Sequence, residues 1–128
     1  MFENSIRRTP RAQDVARLNT QELRDAFLIS NLFAPGKLRG HFTDLDRLAV
    51  GGVMPATKAI ELPNHKETGR AFFLERREMG VINVGGEGTV IADKKIYTLE
   101  KLDCVYLPMG TKSVSFQSET AKNPAKFY

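Results

Sequence analysis

Turn-forming residues recur at intervals of about eight to twelve positions after residue 30, and they divide the chain into short strand-like runs. The turns include Gly85–Gly88, Asp93–Lys94 and Pro108–Gly110, and β-branched and aromatic residues fill the runs between them. This spacing predicts an all-β sandwich or barrel. A further strand-like run begins at Ala125–Tyr128.

The first 30 residues have a different character. Residues 1–17 show weak periodicity and are predicted to form an arm. Asn19 followed by Glu22 resembles a capping box, which opens a short helix with apolar residues on one side. We therefore divide the chain into an N-terminal arm and short helix, residues 1–30, and a β-domain, residues 31–128.

Composition limits the classes of partner. The 128 residues suit one domain, and 41% hydrophobic with 27% charged residues is typical of a soluble globular protein. No apolar run approaches the roughly 20 residues that span a bilayer, so we expect no membrane partner. The polar N-terminus lacks the apolar core of a secretory signal, which favours a cytoplasmic location.

The net charge of +4 is modest, and no aromatic residues interleave with the arginines near the N-terminus. We therefore expect no nucleic-acid partner, while the positive balance would suit a small anionic substrate. The single cysteine, Cys104, lies in a strand-like run and is expected to be a small buried residue. His41 and His65 are expected to be surface or packing residues.

The run FFLERREMGVINV, residues 72–84, has the composition of a strand that is interrupted by four charges. Residues two apart share a face of a strand, so one face would carry Arg76 and Glu78 and the other Glu75 and Arg77. The charge block is therefore interpreted as two potential ion pairs, one on each face.

Two spacings in the second half of the chain resemble known motifs. Glu78 precedes Gly85 with six residues between them, and Asp103 is followed by Pro108 and Gly110. Together they resemble the two signature motifs of the cupin barrel, a double-stranded β-helix or jelly roll. The resemblance implies that residues 31–128 form such a barrel.

The metal ligands of the cupin motifs are mostly missing. Phe72, Leu74 and Ser113 stand where the motifs place histidines, and only Glu78 is retained. A divalent metal site needs at least three good protein ligands, so we interpret the chain as a degenerate cupin without metal ligands or a cofactor of its own. We hypothesise that an Arg76–Glu78 pair takes the place of the metal, or alternatively that the pair lies exposed at the barrel rim.

A more specific resemblance covers nearly the whole chain. The runs DLDRLAVGGVMP, FFLERREMGVINVGGEGTV, LDCVYLPMGTKSVSF and NPAKFY are similar to the N-terminal half of the 5-keto-4-deoxyuronate isomerases, or 4-deoxy-L-threo-5-hexosulose-uronate ketol-isomerases. The resemblance implies an aldose–ketose isomerisation in pectin and polyuronide breakdown. A 4-deoxy-5-keto uronate would be converted to 3-deoxy-2,5-diketogluconate.

The same resemblance implies a two-barrel subunit in a homohexamer, with zinc in a C-terminal cupin that this chain lacks. The chain would then be structural and inactive alone, with the C-terminal cupin and identical subunits as its partners. No catalytic residue is assigned. Because the substrate's carboxylate needs a cation, Arg76, Arg77 and Lys112 are candidate substrate-binding residues. The alternative is a free-standing degenerate cupin that binds an anionic sugar through these residues.

Overall fold

The computed structural model describes residues 2–128, although the side chains of residues 2–5 and of residue 67 are not described. Strands dominate, with two short helices near the N-terminus and a 3₁₀ turn at Lys66–Thr68. The elements in chain order are β1 (Phe2–Arg7), α1 (Ala12–Val15), α2 (Thr20–Phe27), β2 (Lys37–Thr43), β3 (Ala49–Met54), β4 (Ile60–Glu61), β5 (Met79–Ile82), β6 (Gly88–Ala92), β7 (Lys95–Leu99), β8 (Cys104–Leu107) and β9 (Val114–Ser118).

The predicted helix is confirmed as α2, together with its capping box. The Asn19 side chain accepts a hydrogen bond from the Glu22 amide at 3.0 Å, and the Glu22 carboxylate accepts one from the Asn19 amide at 2.8 Å. These bonds satisfy two of the donors that a helix N-terminus leaves unpaired. The N-terminal region also joins the first sheet, because β1 pairs in parallel with β2.

The three-stranded sheet β1-β2-β3 and the two-stranded sheet β5-β8 are joined by backbone hydrogen bonds through the segment Lys126–Tyr128, and we describe them together as the first sheet. Strands β1, β2 and β3 form its first part, and β5 pairs with β8 in its last part. Phe127 bridges them, since it pairs with Val53 of β3 on one side and with Asn83, just after β5, on the other. The strand-like character predicted for Ala125–Tyr128 is therefore confirmed at Phe127.

The second sheet has the strand order β4-β9-β6-β7. Its β6–β7 hairpin turns at Asp93 and Lys94, as predicted, with φ values of 46° and 71° that suit a tight two-residue turn. The Asp93 carboxylate accepts hydrogen bonds from the amides of Ser113 and Lys112, which holds the Asp93 pKa below its ordinary value. The turn is thereby tied to the segment that leads into β9.

The two sheets share one apolar core. Alternate residues of β6 and β9 are buried, and inward residues of β2, β3, β5 and β8 join the same cluster. The rings of Phe116 and Phe127, one from each sheet, lie 5.5 Å apart between centroids. The all-β class predicted from the turn spacing is confirmed.

The strand predicted over residues 72–84 is wrong in its first half. Residues 70–76 form bends and turns, and β5 begins only at Met79. The Glu75 amide donates to the Phe72 carbonyl at 3.2 Å, and the consecutive residues Phe73 and Leu74 are both buried. Adjacent side chains of a strand point to opposite faces, whereas a turn allows both to enter the core.

The burial predicted for Cys104 is also wrong, because this side chain is exposed. Strand β8 alternates, so Val105 and Leu107 face the core while Cys104 and Tyr106 face outward. The prediction used the apolar composition of the run and did not assign its two faces.

Candidate functional site

A cavity of about 460 Å³ lies between β3 and β5, which we call the β3–β5 cavity. Both strands line it, and its deeper wall comes from the core. That wall is apolar and includes the side chains of Leu38, Val53, Phe73, Val81, Phe116 and Phe127. The volume is within the range of small-molecule sites, but the wall offers few polar groups to orient a sugar.

Charged residues line the solvent side of this cavity. Asp46, Arg47 and Glu78 are exposed, and Arg77 is half-buried. The Arg77 guanidinium donates to the Arg47 carbonyl at 3.2 Å and lies 5.7 Å from the centroid of the Phe42 ring, within cation–π range. Arg77 is thus held in place by contacts within the chain.

The three candidate substrate-binding residues are not gathered in this cavity. Its lining includes Arg77 but neither Arg76 nor Lys112. Arg76 is exposed before β5, and Lys112 is exposed beside the β6–β7 turn, where its amide bonds to Asp93. A shared carboxylate site built from all three remains a prediction from sequence alone.

The hypothesis of a buried Arg76–Glu78 pair in the barrel is wrong. Both residues are exposed, because Met79 and Val81 are the residues of this region that face inward. Glu78 accepts a 2.7 Å hydrogen bond from the Tyr106 hydroxyl, and this bond raises the pKa of Tyr106. An exposed carboxylate keeps its hydration, so it needs no buried cation.

The positions that the cupin motifs assign to histidines carry side chains that do not fit a metal ion. Phe72 is half-buried and Leu74 is buried, and neither has a ligand atom. Ser113 is exposed and contacts Asp93 through its amide and hydroxyl. Across residues 2–128, side chains left undescribed aside, no three His, Cys, Asp or Glu residues are grouped to hold a metal.

The two histidines are packing residues, as expected. His41 is buried on β2, and the ring of His65 lies 5.4 Å from the ring of Phe42 between centroids.

Sequence reasoning missed Asn83, a fully buried amide just after β5 that pairs with Phe127. Its Nδ2 donates to the carbonyls of Gly86 and Leu99 at 2.7 and 2.9 Å. Its Oδ1 accepts from the amides of Gly85 and Lys126 at 3.0 and 3.2 Å. The available signal was an amide inside an apolar run, separated from a glycine-rich turn by Val84 alone.

The structure also bears on membrane association. No helix within residues 2–128 combines the length and the apolar character needed to span a bilayer.

Comparison with known proteins gives a consistent result. No protein-family model matches the chain. A protein from Opitutus terrae is 46% identical over 121 residues, covering 94% of this chain and 44% of the relative. A protein from Halalkalibacterium halodurans is 43% identical over 127 residues, covering 99% and 45%. A third, from Lachnospira eligens, is 44% identical over 123 residues, covering 96% and 44%.

All three relatives are called 4-deoxy-L-threo-5-hexosulose-uronate ketol-isomerase. The chain spans less than half of the length of the curated relatives it matches. The resemblance to the 5-keto-4-deoxyuronate isomerases is thus confirmed along nearly the whole of this chain, for a region that makes up about 44% of those enzymes.

Proposed function

We propose that this chain is the N-terminal β-domain of a ketol-isomerase that acts on 4-deoxy-L-threo-5-hexosulose uronate. The observation that carries the proposal is 43–46% identity across 94–99% of the chain to three relatives of that name. The product would be 3-deoxy-2,5-diketogluconate, and the reaction would serve the breakdown of pectin and other polyuronides in the cytoplasm.

An aldose–ketose isomerisation moves a proton between adjacent carbons and requires both a base and stabilisation of an enediolate. The β3–β5 cavity has an apolar wall, and its charged residues lie at the solvent side. We infer that the reacting groups, and the zinc that the resemblance implies, belong to the part of the enzyme outside this region. The chain would then support the active half and be inactive alone.

We infer further that the β-domain is a degenerate cupin barrel with an interface on its outer face. The two sheets enclose one core, as a jelly roll requires. On the outer face of β5 and β8, Ile82 and Tyr106 are 41% and 61% exposed, and Tyr128 beside them is 50% exposed. Adjacent exposed apolar side chains mark interaction surfaces, and the C-terminal cupin or an identical subunit of a homohexamer would cover them.

A chimera tests the proposal. This chain would replace the matching region of the Opitutus terrae relative, and turnover of the 4-deoxy-5-keto uronate would be compared with that of the intact relative. We expect turnover within about tenfold of the parent, a difference of about 1.4 kcal/mol in the barrier. A chimera that folds and assembles but has no turnover would contradict the proposal.

The alternative function, a free-standing module that binds an anionic sugar, is favoured only by Arg77 at the β3–β5 cavity. Galacturonate would be titrated against the chain while its unfolding temperature is measured. The alternative predicts a rise that Arg77→Met removes and Arg76→Met, outside the cavity, retains. The isomerase half predicts no rise in any of the three proteins.

A further inference from the structure

Strands β3 and β5 flank a gap that Lys126–Tyr128 fills at one end only. Phe127 exchanges both of its backbone hydrogen bonds with Val53 at 2.8 Å. Tyr128 exchanges bonds with Ile82 at 2.8 and 2.9 Å. Beyond this level, β3 and β5 continue towards Ala49 and Met79, and the β3–β5 cavity lies between them.

The backbone groups that face this gap follow from the ladder pattern. In an antiparallel ladder, alternate residues direct their N–H and C=O groups to the same neighbour. Val53 bonds to Phe127, so Gly51 and Ala49 direct theirs into the gap. Ile82 bonds to Tyr128, so Gly80 does the same from β5.

We propose that this gap is a strand-acceptor site, which takes an extended peptide in line with Lys126–Tyr128 and antiparallel to both β3 and β5. Neighbouring strands lie about 4.8 Å apart. Because β3 and β5 flank a single strand at Phe127 and Tyr128, the gap between them has room for one strand. An added strand would bond to Gly51 on one side and to Gly80 on the other. It would remove two sheet edges at once.

The pleat specifies the side chains of the acceptor's ligand. In a strand that continues the alternation of Phe127, the first and third residues after Tyr128 lie opposite Gly51 and Ala49. Both positions face the interior, because Val53, on the same face of β3, is buried. The apolar wall of the cavity therefore selects apolar residues there and leaves the second position outward, opposite Gly80.

The relatives have polypeptide that could supply such a strand, since more than half of their length lies outside the matched region. The site itself is inferred from the backbone of β3 and β5. It therefore goes beyond the isomerase proposal, and the two can fail separately.

The test extends the chain after Tyr128 by Val-Thr-Val-Thr, which places valines at the inward positions. Its matched control carries Thr-Val-Thr-Val, with the same composition and the opposite faces. We expect the first extension to raise the unfolding temperature and to slow amide exchange at Gly51 and Gly80 by about tenfold or more. The control should change neither quantity.

A second measurement avoids any effect of the extension on folding. Blocked peptides of the two sequences would be added to the unmodified chain, and backbone NMR shifts followed at Gly51 and Gly80. Concentration-dependent shifts with the first peptide alone support the site. Equal effects of both orders, or no effect of either at these glycines, would overturn it. Benzene, a small apolar probe, would be added in a separate sample. If it slowed amide exchange at Gly51 and Gly80 as much as the first peptide does, the site would also be overturned, because the cavity would then take any apolar molecule.

Discussion

The gap between β3 and β5 has a closed end and an open end, and the same two strands form both. At the closed end, Phe127 is 1% exposed and Asn83 is completely buried. At the open end, Gly51 and Gly80 border a cavity of about 460 Å³. The flanking strands are common to both ends, so the presence of a central strand is what closes the wall.

The largest expected effect on the free energy of unfolding is at Phe127, whose ring is buried at the closed end of the gap. Phe127→Ala removes a buried ring that packs against Phe116, which costs about 3–5 kcal/mol of unfolding free energy. Tyr128→Ala is the control, because that side chain is half exposed and its backbone bonds remain. Urea unfolding measures both, and equal losses would show that Phe127 does not close the wall.

Asn83 provides the next test of the closed end. Asn83→Leu removes four hydrogen bonds and leaves buried backbone groups unpaired, which costs about 3 kcal/mol. Asn123→Ala, at an exposed amide, should change the unfolding free energy by less than about 0.5 kcal/mol. If the two variants unfold at the same urea concentration, the Asn83 network is not what holds Lys126 against β5.

Gly51 and Gly52 lie on opposite faces of β3. Substituting each in turn compares the face that borders the cavity with the face that Leu32 covers. A Cβ on Gly52 would lie 2.6 Å from the Leu32 side chain and 2.7 Å from its carbonyl oxygen, so Gly52→Ala should cost about 1–3 kcal/mol. A Cβ on Gly51 would meet only the Arg39 carbonyl at 3.4 Å and face the cavity. Gly51→Ala should therefore be much less destabilising in thermal unfolding, and the reverse order would contradict the assigned faces.

The smallest effect is at the exposed Glu78–Tyr106 hydrogen bond, beside the open end. The bond to Glu78 raises the Tyr106 pKa above its ordinary value of 10.0. The stability that it contributes is present below the unfolded-state pKa and is lost as the pH rises through the folded pKa. Glu78→Gln should lower the Tyr106 pKa in an ultraviolet titration, while Glu87→Gln should leave it unchanged.

Local signals predicted much of the fold. The capping box at Asn19 and the turn at Asp93–Lys94 depend on neighbouring residues, and both are present. The approach of Leu32 to Gly52 brings together residues from separate segments, so neighbouring residues do not identify that partner. Turn spacing likewise predicted an all-β class but not which strands pair.

The predicted site depended on one assumption about faces, and there the sequence was insufficient. Phe73 and Leu74 are both buried because residues 70–76 form a turn, and that turn shifts the inward positions of β5 to Met79 and Val81. Glu78 then faces outward to Tyr106, a residue from a distant strand. Hydrogen bonds between strands that are distant in the sequence decide which way such side chains point. A local sequence pattern does not show which strands pair.

The double bonding of Phe127 to β3 and to the end of β5 has a consequence for the order in which the protein is made. A ribosome releases Val53 and Asn83 before it releases Phe127, so the nascent chain carries two unjoined sheet portions until Phe127 emerges. During that interval both edges are open to pairing with other chains, and the pairing of Phe127 with Val53 and Asn83 is what ends this exposure.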